Sequence, residues 1–273
     1  MSFVVHDNGG LVYHTSSVLE HDAVLHGFST RKGGVSGGYF SSLNLRIGGE
    51  ETDSRENIEE NYRRFCAAVG VDVRGVVLSR QVHEDTIRCV TADDAGKGLF
   101  RERDYTADAL ITNEPGLSLW VFSADCGIFL MHDPVSGCIG AVHAGWRGTA
   151  LDLSAKTVAE MGRQYGAKPE NIRVAVGTMI GRCCFETQRD VPDAMLAAFG
   201  CGAEAFIHPF GEKWQVDLAG INRWRLREAG VREENLDSMG ICTACNGEGL
   251  YWSHRRTGEK RGVQCAMISL KGE

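Results

Sequence analysis

Two imidazoles and one thiol, those of His83, Cys126 and His143, stand at the ends of three predicted strands. They lie in the segments Gln81-Val82-His83, Ala124-Asp125-Cys126 and Val142-His143-Ala144-Gly145-Trp146-Arg147-Gly148. Such a donor set suits zinc, and three protein ligands leave a fourth position for water or substrate, as in catalytic rather than structural sites. Asp125 is the candidate carboxylate to accept the second N–H of a ligand histidine, which would fix its tautomer and raise its basicity. After His143 a glycine-bearing turn leads to a helix expected near Thr149. Free backbone N–H groups and the Arg147 guanidinium could there converge on an anion such as phosphate. The ligands are 43 and 17 residues apart, so spacing alone does not bring them together. The same residues also allow a cysteine hydrolase, with Cys126 as nucleophile, His143 as its base and Asp125 orienting the base.

Other reactive side chains read more simply. The vicinal pair Cys183-Cys184 and the pair Cys242/Cys245 could form a second zinc site or a redox couple. Packing of small apolar thiols is the better account, because the complementary spacing of a zinc ribbon is missing. His6, His14, His21, His132, His208 and His254 have no motif around them and read as surface or hydrogen-bonded structural histidines, while His26 lies beside a glycine-rich segment. Trp146 and Phe28 are aromatic enough to stack a base, but core packing is the expected use of both.

The elements that must position these groups follow from periodicity. From Ser54 to Val69, Ile58, Tyr62, Phe65 and Val69 share one face, with Asp53 or Ser54 as cap and Gly70 as terminator. Further helices are expected from about Thr149 to Tyr165, Pro192 to Phe199 and Leu218 to Ala229. β-rich runs cover Val76 to Ser79, Thr86 to Thr91, Leu117 to Ser123, Ile128 to His132, Cys138 to His143, Ile172 to Val176 and Val263 to Ile268. Strands and helices mix without strict alternation, so the expectation is an α/β protein of the α+β type, with mixed sheets covered by helices rather than a doubly wound parallel sheet.

Composition narrows the partners. With 43% hydrophobic and 24% charged residues the chain has an ordinary globular mixture, and no linker or repeat divides it, so one domain over residues 1–273 is expected. A net charge of −7 with scattered basic residues disfavours nucleic acid. The first residues lack a signal-peptide pattern, and the longest apolar-rich run, Leu117 to Ala124, is too short to span a bilayer. Ten cysteines then suggest a reducing compartment, and the expected location is the cytoplasm.

Several motifs occur in order along the chain: His26-Gly27-Phe28-Ser29-Thr30-Arg31 with Gly33-Gly34-Val35-Ser36, Ser42-Leu43-Asn44-Leu45, and the three segments that carry His83, Cys126 and His143. Together they resemble the YfiH family, whose members have been labelled multicopper polyphenol oxidase (laccase), peptidoglycan editing factor and purine nucleoside phosphorylase. The resemblance implies a layered α/β/β/α sandwich related to the catalytic fold of cytotoxic necrotizing factor, with zinc on His83, Cys126 and His143. It also implies phosphorolysis of adenosine, inosine, guanosine and methylthioadenosine, with some adenosine deamination. On that reading Arg31 and Arg147 bind phosphate, and Asn44 fixes the ribose or its own loop. The sequence departs from the family pattern at Ile128, where proline is usual, and around Gly177-Thr178-Met179-Ile180-Gly181, which lacks the common Pro-Cys pair.

The labels can be weighed chemically. A multicopper oxidase needs about eight histidines in His-x-His pairs to hold its copper cluster, by analogy with that family and with copper's preference for imidazole. This chain has nine histidines and no such pair, so the laccase mechanism is rejected, although copper could replace zinc on the triad. The His-x-Glu and Pro-Cys-x-x-Cys signature of nucleobase deaminases is also missing. A purine nucleoside phosphorylase is the leading expectation, ahead of a cysteine amidase acting on a peptidoglycan precursor and a copper-dependent polyphenol oxidoreductase.

Overall fold

The computed structural model describes residues 3–48, 53–246 and 249–272. Among them three sheets and six α-helices form. The first sheet has the order β1 (Phe3–Asn8), β2 (Leu11–Ser16), β3 (Val24–Ser29), β15 (Gln264–Leu270), β7 (Ser118–Ser123), β4 (Val76–Leu78). The second runs β14 (Leu236–Ser238), β10 (Arg173–Val176), β8 (Gly127–Asp133), β9 (Cys138–Ala144), β6 (Ala109–Thr112), β5 (Ile87–Cys89). Both are mixed: β4–β7, β10–β14 and β5–β6 are parallel pairs, the rest antiparallel.

The two sheets pack face to face. Leu119, Val121, Ala266 and Ile268 of the first meet Leu110, Ile128, Leu130 and Ala141 of the second in one buried cluster. Helix α1 (Arg55–Val69) covers the opposite face of the first sheet, burying Ile58, Tyr62 and Phe65 against Trp120 and Met267. Burying Phe65 alone is worth about 2 kcal/mol. The start of α1 is the one expected: the Ser54 hydroxyl accepts the Asn57 N–H, and Gly70, in the left-handed region at φ 89°, closes the last turn. The far face of the second sheet is covered by α3 (Leu153–Tyr165), α4 (Asp190–Phe199) and α5 (Leu218–Glu228).

Several features differ from the sequence expectations. The single helix expected from Thr149 is two, α2 (Trp146–Ala150) and α3, broken where Asp152 turns left-handed at φ 59°. Arg225 of α5 compensates by forking onto the Asp152 carboxylate at 2.8–3.2 Å. A third sheet, β11 (Glu186–Thr187), β13 (Lys213–Val216), β12 (Ile207–Phe210), was not expected, nor were β1 to β3, β6 and β14. A short helix, α6 (His254–Thr257), precedes β15.

Candidate active site

The chemistry collects at one end of the second sheet. Asp108 immediately precedes β6, Cys126 precedes β8, and His143 is the penultimate residue of β9. Register brings them together: Ala109 pairs with Val142, and Gly127 with Ala144. The donor atoms of His83, Cys126 and His143 all lie within 4.8 Å of one another, with Cys126 Sγ 3.8 Å from His83 Nε2. His83 comes from the loop after β4, and Gln81 fastens that loop: its side-chain amide both donates to the Phe122 carbonyl and accepts the Phe122 N–H, each at 2.8 Å.

The carboxylate behind the histidines is Asp108, not Asp125. Asp108 is fully buried; one oxygen takes His143 Nδ1 at 2.8 Å and the His83 backbone N–H at 3.1 Å, the other the N–H groups of Val82 and Glu84 at 3.0 and 3.1 Å. One carboxylate thus sets the tautomer of His143, leaving Nε2 for a metal, and holds the backbone of His83. Burial alone would push the Asp108 carboxyl up, but His143 and these N–H groups outweigh it and hold the group below its ordinary value. Asp125 faces elsewhere, accepting the Thr243 hydroxyl and the Arg255 N–H, both at 2.6 Å. Its position beside Cys126 in sequence does not aim its carboxylate at either histidine.

Burial would likewise raise the Cys126 thiol, yet the His143 charge and hydrogen bonds from His143 and His83 bring it down to about 6. The same thiolate, with Asp108, holds the His143 imidazole up against its burial. The histidines thus favour the thiolate form of Cys126, the form in which sulfur is a metal ligand or nucleophile. Backbone conformation marks the same place. His83 (φ 64°) and Asp125 (φ 103°) are non-glycine residues in the left-handed region, each costing about 1–3 kcal/mol unless its surroundings impose it. Gly145 is needed for room: a Cβ there would lie 2.6 Å from Cys126 Sγ. Close donors, an oriented imidazole and a cleared approach make a group that could hold a metal ion.

The triad opens into a cavity of about 660 Å³. Its cations are Arg46, Arg80, Arg103, Arg255 and Arg261, and its aromatic walls include Tyr62, Phe122, Trp146 and Phe185. Burial pulls the Arg261 guanidinium below its ordinary value and the neighbouring Arg46 charge adds to this; Arg103 is lowered by burial too, with Arg80 adding. Glu259, paired with Arg46 at 3.6 Å, and Asp125 are the carboxylates on this wall, so the five guanidiniums leave it net positive, a field that draws an anion.

The arginines expected to bind phosphate are not among these. Arg31 donates to the Ser41 carbonyl and stacks on Trp252 with 4.0 Å to the ring centroid, away from the cavity. Arg147 is exposed and lies over Trp146, at 4.3 Å. Its helix α2 is only five residues long, so the expected N-terminal anion seat has little dipole behind it. Asn44 is buried in its own loop, its side-chain oxygen accepting the Arg46 N–H and its carbonyl accepting Asn61. Of the two roles expected for it, the loop is the one the contacts serve. Phe28 and Ile128 are core, whereas Trp146 and Ile180 line the cavity. His26 is buried and accepts the Ser16 N–H, away from the cavity, while His254, expected to be incidental, lines the cavity. Sequence reasoning missed Asp108, His254 and all five lining arginines, which belong to no local motif.

A family model described as multi-copper polyphenol oxidoreductase laccase matches residues 25–271. The chain belongs to that family. It is 36% identical over 248 residues to a purine nucleoside phosphorylase of Deinococcus radiodurans, covering 91% of this chain and 90% of that one. It is 31% identical over 243 residues to adenosine deaminase RL5 from an unknown prokaryotic organism, covering 86% and 90%. The crystal structure of Bacillus licheniformis hypothetical protein YfiH superposes with a TM-score of 0.89 at 31% identity, over 98% of this chain and 99% of that one. The family description names copper oxidation, but among the described residues only two groups of donors are close enough to share an ion, and neither contains more than two histidines. A trinuclear copper centre has no donor set there. No helix among the described residues is long and apolar enough to cross a membrane.

Proposed function

We propose that this chain catalyses phosphorolysis of purine nucleosides, adenosine, inosine, guanosine and methylthioadenosine, releasing the free base and the sugar 1-phosphate, with adenosine deamination as a second activity. The observation that carries the reading is a zinc-type triad opening into a cavity with five arginines and aromatic walls. The names of the relatives support it, a phosphorylase and a deaminase. In our reading the helix–sheet–sheet–helix layering is the sandwich shared with the catalytic fold of cytotoxic necrotizing factor, and the ten free thiols suit a cytoplasmic enzyme.

Phosphorolysis forms a bond from a phosphate oxygen to the anomeric carbon and breaks the bond from that carbon to the purine nitrogen, which leaves with a proton. The transition state has oxocarbenium character. Arg46 and Arg261 gather and orient the phosphate, reducing the entropic cost of the encounter, while Trp146, Phe122 and Phe185 offer faces for the base. His83, Cys126 and His143 would hold the zinc ion, with copper fitting the same donors. When bound, the metal supplies Lewis-acid polarisation of an oxygen in the cavity.

The test is one assay of adenosine with and without phosphate, following adenine, ribose 1-phosphate and inosine. Phosphate-dependent adenine with matching ribose 1-phosphate is expected; adenine formation indifferent to phosphate would refute phosphorolysis. A cysteine hydrolase is the second reading, favoured by the Cys126–His143–Asp108 alignment, with Asp108 where Asp125 was expected. His83 beside the sulfur argues for metal instead. Zinc that protects Cys126 from alkylation supports the phosphorylase, and metal-free activity lost on alkylation supports the hydrolase.

A further inference from the structure

Four thiols outside the triad converge although their sequence positions span sixty residues. Cys183 and Cys184 sit in the turn after Gly181; Cys242 and Cys245 sit in a turn that starts at a β-bridge between Met179 and Cys242. Their four sulfurs lie within 4.8 Å of one another, Cys183 and Cys245 at 3.5 Å. Zinc binds thiolate sulfur at about 2.3 Å, which places neighbouring sulfurs of a tetrahedron about 3.8 Å apart. The sulfurs therefore already stand at about the spacing of a ligand set.

The simpler account, thiols packed as small apolar groups, does not fit. Cys184 and Cys242 are half-buried against the core, but Cys183 and Cys245 are exposed, so apolar packing accounts for at most two of the four sulfurs. All four are free thiols, and a single disulfide would leave two of them unused. The Gly181 N–H points at Cys242 Sγ, 3.2 Å away, the kind of backbone donor that stabilises a metal-bound thiolate. The Arg255 guanidinium donates to the Cys184 carbonyl at 2.9 Å and brings positive charge next to what would be a dianionic centre.

We propose that Cys183, Cys184, Cys242 and Cys245 bind a second zinc ion, closed to substrate, that clamps two cavity-forming loops together. Four protein ligands leave no open coordination position, so its role is structural. The clamp bears on the active site by short routes. Ile180 and Phe185, flanking the vicinal pair, line the cavity, and Thr243, between the other two cysteines, hydrogen-bonds Asp125, the neighbour of Cys126. The site holds the wall and the left-handed turn at Asp125 in place without touching substrate.

The protein, purified with reductant and dialysed against chelating resin, is expected to carry two zinc ions per chain by elemental analysis. Cys126→Ala and Cys183→Ser/Cys245→Ser should each retain one. Should the double variant fail to fold, cobalt substitution of Cys126→Ala decides without it. That protein has no thiolate left at the triad, so an intense sulfur-to-cobalt charge-transfer band with tetrahedral visible bands must come from the four cysteines. One zinc per chain that disappears with Cys126→Ala, a cobalt spectrum lacking thiolate bands, iron in place of zinc, or a Cys183–Cys245 disulfide found by mass spectrometry in the purified protein would each overturn the proposal.

Discussion

Asp108→Asn perturbs both histidines of the triad through a single atom replacement. One carboxylate oxygen serves His143 Nδ1 and the His83 N–H, the other the N–H groups of Val82 and Glu84. An asparagine has one acceptor oxygen, so whichever way the amide turns, its NH2 meets two N–H donors that have lost their partner in a fully buried place. Each unsatisfied donor costs about 1–3 kcal/mol, which gives a destabilisation of about 2–6 kcal/mol and a melting point lower by roughly 5–15 °C for a chain of this size. Removing the group that orients a ligand histidine lowers metal affinity about 10- to 100-fold, or about 1.4–2.7 kcal/mol. Chelator-competition titration of the metal-stripped protein measures the second quantity, and scanning fluorimetry with and without zinc the first. Asp125→Asn is the comparison: its carboxylate reaches neither histidine, so its zinc dissociation constant should stay within about threefold of wild type. Equal losses in the two variants, or an Asp108→Asn protein that binds zinc as wild type does, would refute the assignment of Asp108 as the group that orients the site.

Three further outcomes follow from the same geometry. Gly145→Ala places a methyl group 2.6 Å from Cys126 Sγ, so a folded protein that has lost the triad zinc, one ion per chain fewer than wild type, is expected, read by circular dichroism together with metal analysis. Arg261→Ala should raise the phosphate KM about tenfold or more while the nucleoside KM changes little, whereas Arg147→Ala, on the outside, should leave both within about twofold; the steady-state kinetics of the two variants show whether the lining arginines hold the anion. Burial holds the His26 imidazole down at about 4, against 6.5 when unfolded, so between those values the unfolded chain binds more protons. Its contribution is complete above pH 6.5 and falls away toward pH 4, by about 3 kcal/mol at most, and urea denaturation across that range should lose the corresponding slope in His26→Gln.

What could be read from the sequence was whatever is periodic or local. Helix α1 appears with its cap and terminator because Ser54, the Ile58–Tyr62–Phe65 stripe and Gly70 are all within one element. The core strands β7, β8 and β9 appear because they are apolar runs long enough to stand out. The break at Leu151–Asp152 does not, because the residue that compensates Asp152 is Arg225, seventy-three positions away. Asp108 was hidden for the same reason. Nothing in Thr106-Ala107-Asp108-Ala109 says that strand pairing will set it beside His143. Asp125, adjacent to the ligand in sequence, is the natural wrong choice. The four-cysteine cluster is a third case: its spacing shows no ribbon because its halves are brought together by long-range contacts, the bridge between Met179 and Cys242 among them.

These cases share a cause that bears on how the site tolerates change. The triad is not carried by one motif but fixed from behind by groups on other elements: Asp108 ahead of β6, Gln81 clasping β7, and Thr243 of the far loop with Arg255 of α6 holding Asp125. Two of the residues so held, His83 and Asp125, sit in a backbone region that non-glycine residues avoid, and neither would stay there by local preference. The strain is sustained only while those distant contacts hold. Loosening Thr243, by Thr243→Val, should therefore act on the triad without touching it: the Asp125 turn relaxes, Cys126 Sγ drifts from His83, and zinc affinity falls together with turnover. If Thr243→Val instead reduces turnover while zinc affinity and thermal stability stay at wild-type values, the turn at Asp125 is stable by itself and the far loop acts on substrate, not on the metal site.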